Sequence, residues 1–149
     1  MRLSATTAAE LQAIAERLGR ALQAGDVLAL IGPLGAGKTT FVQGLARGLG
    51  VPADRHVASP TFALVNEHPG RVPLVHADLY RVADARELEE LGLTDAFDRA
   101  AVAIEWLDRF PDAAPAERIE LTIAIEPDGT RTLTFEPRGG RPASVLAAL

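Results

Sequence analysis

Nine residues, GPLGAGKTT at 32–40, constrain this chain more than any other stretch. Glycine at 32, 35 and 37 allows the backbone to turn tightly and to approach a ligand closely. A short apolar run, VLALI at 27–31, stands immediately before them. After them Phe41, Val42, Leu45 and Leu49 recur at helical spacing up to Gly50. The order is therefore strand, tight loop, helix, and Gly32-x-x-x-x-Gly37-Lys38-Thr39 fits the pattern in which such a loop wraps a phosphate.

In that arrangement successive N–H groups converge on phosphate oxygens, and the helix start adds unpaired donors and the positive end of its dipole. The expected nucleotide-binding residues are Pro33, Leu34, Gly35, Ala36, Gly37, Lys38, Thr39 and Thr40. Lys38 is expected to reach the β- and γ-phosphates of ATP, Thr39 to offer a hydroxyl to Mg²⁺, and Thr40 to place a second hydroxyl near the α-phosphate. Composition sharpens this assignment. Of the fifteen basic residues fourteen are arginine, so the single lysine stands where a compact ammonium is needed and a planar guanidinium is no substitute.

A phosphate loop needs metal and water control from elsewhere. Asp78 closes VPLVHAD and Glu105 closes AVAIE, and in an open parallel sheet the ligand crevice lies beyond the carboxyl ends of the strands. Lys38, Asp78 and Glu105 are thus the expected catalytic residues, and Thr39, Asp78 and Glu105 the expected metal site. Spacing alone does not separate a direct ligand from one acting through water. His56, His68 and His76 share no ligand spacing, and Mg²⁺ prefers oxygen, so they read as structural or surface groups.

The rest of the chain supplies a frame for this site. Its 149 residues suit one domain spanning 1–149, and 48% are apolar without any run long enough for a membrane helix. MRLSATTAAELQ lacks the apolar core of a secretory signal, and the absence of cysteine removes disulfides and thiolate chemistry, so the cytoplasm is expected. A net charge of -5 disfavours a broad nucleic-acid surface. Thr7 and Glu10 form a capping-box pair, and Leu11, Ile14, Ala15, Leu18, Ala21 and Leu22 predict a helix running to Gly25. Further apolar segments at 61–65, 72–77 and 101–106, with a helix over 84–92, predict an α/β fold. RIELTIAIE and RTLTF, joined across PDGT, predict an antiparallel hairpin on the same sheet.

Taken together, GPLGAGKTTFVQGLARGLG (32–50), SPTFALVNEH (59–68), HADLYR (76–81), ELEELGL (87–93) and IEW (104–106) resemble the successive signatures of the TsaE family, also called YjeE or YdiB. The resemblance implies a P-loop NTPase domain of three layers with a central, mainly parallel sheet. It implies an Mg²⁺-dependent ATPase whose turnover supports TsaB and TsaD, with TsaD transferring the threonylcarbamoyl group to adenosine 37 of tRNAs that read codons beginning with A. tRNA is then met indirectly, through the complex. By the same resemblance Lys38 and Thr39 carry phosphate and magnesium binding. Ser59, Pro60, Thr61 and Phe62 belong to a switch-like loop, Asp78 helps to hold magnesium, and Glu105 serves hydrolysis beside Trp106. Two positions depart from the family pattern: Pro33 replaces a common acidic residue, and Leu107 replaces the proline after Glu-Trp.

Other functions of the same loop are weighed by what they require. A GTPase normally adds an Asn-Lys-x-Asp stretch, which a chain with one lysine at 38 cannot contain. A small-molecule kinase would use the same loop, Mg²⁺ and strand-end carboxylate, but needs an acceptor-binding lid for which the chain is short. A nucleotide-loaded binding module would differ in showing nucleotide-dependent assembly with no stimulated phosphate release.

Overall fold

The structure is a computed structural model that describes residues 1–60 and 64–149. Its frame is a seven-stranded sheet made of β1 (Arg2–Ala5), β2 (Val27–Ile31), β3 (Val65–His68), β4 (Leu74–Asp78), β5 (Ala101–Glu105), β6 (Arg118–Ile125) and β7 (Arg131–Arg138). The order across the sheet is β1-β7-β6-β2-β5-β4-β3. β4, β5, β2 and β6 are mutually parallel, whereas β1, β7 and β3 join antiparallel at the flanks. The expected α/β architecture is thus present, with the parallel part confined to the centre. The apolar runs explain it: Val27–Leu30 and all of β5 are buried, as befits strands covered on both faces.

α1 (Ala8–Ala21) begins at the expected cap, where Thr7 Oγ1 accepts from the Glu10 N–H at 3.1 Å. The Glu10 carboxylate reaches back to the N–H of Thr6 at 2.6 Å, one residue earlier than the usual box partner. The helix stops at Ala21, short of the expected Gly25, because Asp26 Oδ2 accepts from the Gln23 N–H at 2.7 Å and turns the chain into β2. α1 packs on α2 (Lys38–Gly48) at close range. A Cβ on Gly44 would fall 2.4 Å from the Gln12 carbonyl and 2.8 Å from Ala15 Cβ, so only glycine allows this approach.

Together with α5 (Gly140–Ala147), these helices cover one face of the sheet, with Phe41 and Phe135 at its heart, ring centroids 6.4 Å apart. Fully burying one such ring contributes about 1.5–3 kcal/mol. On the other face α3 (Ala85–Glu90) and α4 (Leu93–Arg99) lie over β2, β4 and β5, burying Val27, Val75, Val102 and Ile104 with Leu93 and Ala96. The expected helix over 84–92 is therefore the first of two, separated at Gly92 with φ +72°. The expected segment at 61–65 yields a strand only from Val65, and its residues 61–63 lie outside the described residues. Among the described residues no helix is long and apolar enough to cross a membrane.

Candidate nucleotide site

β2 carries the chain to the carboxyl rim of the sheet, and residues 32–37 turn it into α2. Gly37 sits at φ +107° immediately before the helix, a backbone setting that favours glycine, and a Cβ there would have to displace Leu11 Cδ2, 2.6 Å away. The Ala36 N–H donates to the Pro33 carbonyl at 3.1 Å, closing a turn whose Ala36 side chain is fully buried. Among the described residues no side chain caps α2, which leaves its first turn open to an anion.

Lys38 folds back over this loop. Its ammonium donates to the Gly32 carbonyl at 2.8 Å, lies 3.7 Å from Glu105 Oε1, and sits 5.4 Å from the centre of the Trp106 ring. One cation therefore ties the loop to the end of β5.

The two carboxylates arrive from adjacent strands. In the parallel register of β4 and β5, Asp78 is the direct neighbour of Glu105, and His76 stands one pleat before it on the same face. Glu105 is almost wholly buried, and its Oε2 lies 2.7 Å from Nε2 of the buried His76. With Glu105 ionised, its carboxylate only accepts hydrogen bonds, and the proton of this contact is then carried by His76 Nε2. Asp78 is partly exposed, and its Oδ1 accepts from the Tyr80 N–H at 2.9 Å. Burial pushes the Asp78 carboxyl above its ordinary range and the Glu105 charge pushes the same way, against the pull of the Tyr80 N–H, His76 and Lys38. Such a carboxylate gains from a nearby cation. Trp106 follows at φ +60°, an uncommon left-handed setting for an aromatic residue, and packs against Tyr80 with centroids 4.8 Å apart.

These groups surround one cleft of about 640 Å³. Leu34, Gly35, Gly37, Lys38, Thr39 and Thr40 form its loop side; Asp78, Glu105 and Trp106 face them, and Ser59 and Tyr80 line it too. Pro33 and Ala36 stand outside it, as does Pro60, whose carbonyl accepts from the Leu64 N–H at 2.9 Å. Thr61 and Phe62 lie outside the described residues. A larger, mostly apolar cavity of about 860 Å³ adjoins the other side of the loop and includes Ile31, Pro33, Leu107 and Ile125, but the strand-end carboxylates are in the smaller cleft.

The donors suit the groups expected from the sequence. The cleft's size falls within the usual range for small-molecule sites, about 300–1,000 Å³. It offers an ammonium, an open helix start, the Thr39 hydroxyl and two carboxylates. Mg²⁺ commonly takes one or two carboxylates and completes its shell with phosphate oxygens and water. Among the described residues no cluster of three or more His, Cys, Asp or Glu forms a self-sufficient metal cage.

His56 is exposed and His68 is buried, in keeping with a structural or surface reading, but His76 is a direct partner of Glu105. Its two-residue offset from Asp78 is the signal that could have revealed it, because strand alternation puts both on one face. Leu107, the departure after Glu-Trp, is buried in the second core and opens a 3₁₀ turn over Leu107–Arg109.

Comparison with known proteins shows the family and the fold. Residues 5–133 match the family described as threonylcarbamoyl adenosine biosynthesis protein TsaE. A Bacillus subtilis tRNA threonylcarbamoyladenosine biosynthesis protein TsaE is 42% identical over 134 residues, covering 89% of this chain and 82% of the relative. The protein of the same description from Mycobacterium tuberculosis is 41% identical over 133 residues, covering 82% and 78%. The crystal structure of Bacillus subtilis YdiB superposes with a TM-score of 0.85 at 33% identity, covering 99% of this chain and 91% of that one. The chain therefore belongs to the TsaE family, which acts in the biosynthesis of threonylcarbamoyladenosine in tRNA, and it has that family's P-loop fold.

Proposed function

We propose that this chain is an Mg²⁺-dependent ATPase of the cytoplasm that supports TsaB and TsaD in threonylcarbamoylation of adenosine 37 in tRNAs reading codons that begin with A. The observation that carries the reading is the convergence of Lys38 and Thr39, from the loop, with Asp78 and Glu105, from adjacent parallel strands, on one cleft.

Each residue then has a defined task. Lys38 exchanges the Gly32 carbonyl and Glu105 for phosphate oxygens, moving its charge to where negative charge grows during transfer. Thr39 and Asp78 would hold Mg²⁺, which supplies charge neutralisation and fixes phosphate oxygens when bound. Glu105 remains oriented by His76 when Lys38 leaves it, so its second oxygen is free to position water or to act on the metal through water. Ser59 lines the cleft, so the described start of the switch-like loop would stand beside the nucleotide, where its arrangement would differ between nucleotide states. With a net charge of -5, broad binding of tRNA phosphates by this chain alone is disfavoured, and the partners carry that contact.

The test is phosphate release by the chain alone and with TsaB and TsaD, with and without tRNA, for wild type, Lys38→Ala and Lys38→Arg. Turnover should rise in the complex and vanish in both variants while circular dichroism remains native. Wild-type phosphate release by folded Lys38→Ala would refute the assignment.

A further inference from the structure

The phosphate loop is gripped from outside by a residue far along the chain. Arg131 opens β7, directly after the hairpin turn at 126–130. Its Nε donates to the Ala36 carbonyl at 2.9 Å and its Nη2 to the Gly35 carbonyl at 3.1 Å. A third donor, Nη1, bonds the Gly129 carbonyl at 2.6 Å, so the guanidinium is fastened to its own hairpin as well as to the loop. Arg131 does not itself line the cleft. Its strand is rigidly placed, paired with Ile125 of β6 on one side and with Ala5 of β1 on the other.

Peptide geometry converts this grip into a consequence at the site. In a trans peptide the C=O and the following N–H point in opposite directions. Turning the Ala36 carbonyl toward Arg131 therefore turns the Gly37 N–H away from it. The Gly35 carbonyl fixes the preceding unit, whose Ala36 N–H closes the turn on Pro33. Gly35 and Gly37 have φ of +81° and +107°, and glycine at both positions leaves the intervening backbone many alternatives unless something holds it. The planar fork of arginine spans two successive carbonyls in a way that a single ammonium does not.

We infer that Arg131 is a positioning residue for nucleotide binding: it holds the 35–37 backbone in its phosphate-ready shape without touching the nucleotide. The inference rests on the nucleotide reading of the cleft given above.

Arg131→Met keeps much of the side-chain stem and removes all three donors, whereas Arg131→Lys keeps the charge without the fork. In nucleotide-free Arg131→Met, hydrogen exchange over residues 32–38 should accelerate about tenfold or more, with β5 and the middle of α1 unchanged. Calorimetric affinity for ADP should fall about tenfold, because the loop must now be ordered on binding. Turnover at saturating ATP should stay within about threefold of wild type, giving a loss in KM rather than kcat. Arg131→Lys should resemble Arg131→Met. Millimolar methylguanidinium should restore part of the affinity of Arg131→Met, and ammonium at equal ionic strength none. Wild-type loop exchange and wild-type ADP affinity in folded Arg131→Met overturn the inference. Uniform loss of protection across the sheet, unrelieved by methylguanidinium, overturns it too, since Arg131 would then be a general stabiliser. If wild type binds neither ADP nor an ATP analogue, the nucleotide reading falls, while faster loop exchange in the variant still supports the grip of Arg131.

Discussion

Gly44→Ala tests how tightly the helix carrying Lys38 is held. Alanine is favoured over glycine in a helix interior by about 1 kcal/mol, so propensity alone predicts a more stable protein. The added Cβ, however, would meet the Gln12 carbonyl at 2.4 Å, Gln12 Cα at 2.8 Å and the buried Ala15 Cβ at 2.8 Å. None of these is the yielding end of a long side chain, so α1 and α2 must separate. Overpacking of this kind costs about 1–3 kcal/mol, and rigid contacts on three atoms place it near the top of that range. With the propensity gain subtracted, a net loss of about 2 kcal/mol remains, lowering Tm by about 4–8 °C for a chain of this size. Because α2 begins at Lys38, nucleotide affinity should weaken as well. The assay is a thermal melt beside Gly140→Ala, where nothing lies within 4 Å of the added Cβ and the change should stay within about 0.5 kcal/mol. A Gly44→Ala protein melting at or above wild type would refute the steric argument.

Glu105→Gln preserves volume and an acceptor for His76 but removes the charge, so it should retain binding of an ATP analogue while turnover falls about a hundredfold or more in a single-turnover assay. Asp78→Asn should instead raise the magnesium concentration needed for half-maximal turnover, and normal hydrolysis by both variants across a magnesium titration would make these carboxylates structural. His68 is buried, and neither ring nitrogen has a hydrogen-bond partner among the described residues. Burial holds its pKa below the ordinary 6.5, helped by the Arg55 and His76 charges. The unfolded chain then binds the extra proton, so this contribution to stability is full above that value and is lost as pH falls through it toward the folded pKa. His68→Phe should flatten the dependence of Tm on pH as pH falls through the ordinary 6.5, and an unchanged slope would refute this account.

The parts legible in the sequence are those whose cause is local. The strand-loop-helix at 27–48 announces itself because glycine spacing and apolar periodicity both act within a few residues. Asp78 and Glu105 were readable as strand ends because each interrupts an apolar run. β1 was not, since RLSA buries only Ala5 and forms a strand by pairing with the distant β7. Nor was α5, whose eight residues contain Pro142 and gain their order by laying Val145 and Leu146 on the core. The contact of His76 with Glu105 required the β4–β5 register, a non-local fact, and Arg131 offered no local sign that its partners lie 95 and 96 positions earlier.

That last separation also sets a timetable on the ribosome. At about 5–20 residues per second, the 95 positions from Ala36 to Arg131 take roughly 5–20 s to translate. Throughout that interval the nascent glycine loop lacks its clasp, and β1 lacks the strand on which it will lie. A loop whose residues are made early thus acquires its final hold only when the hairpin emerges.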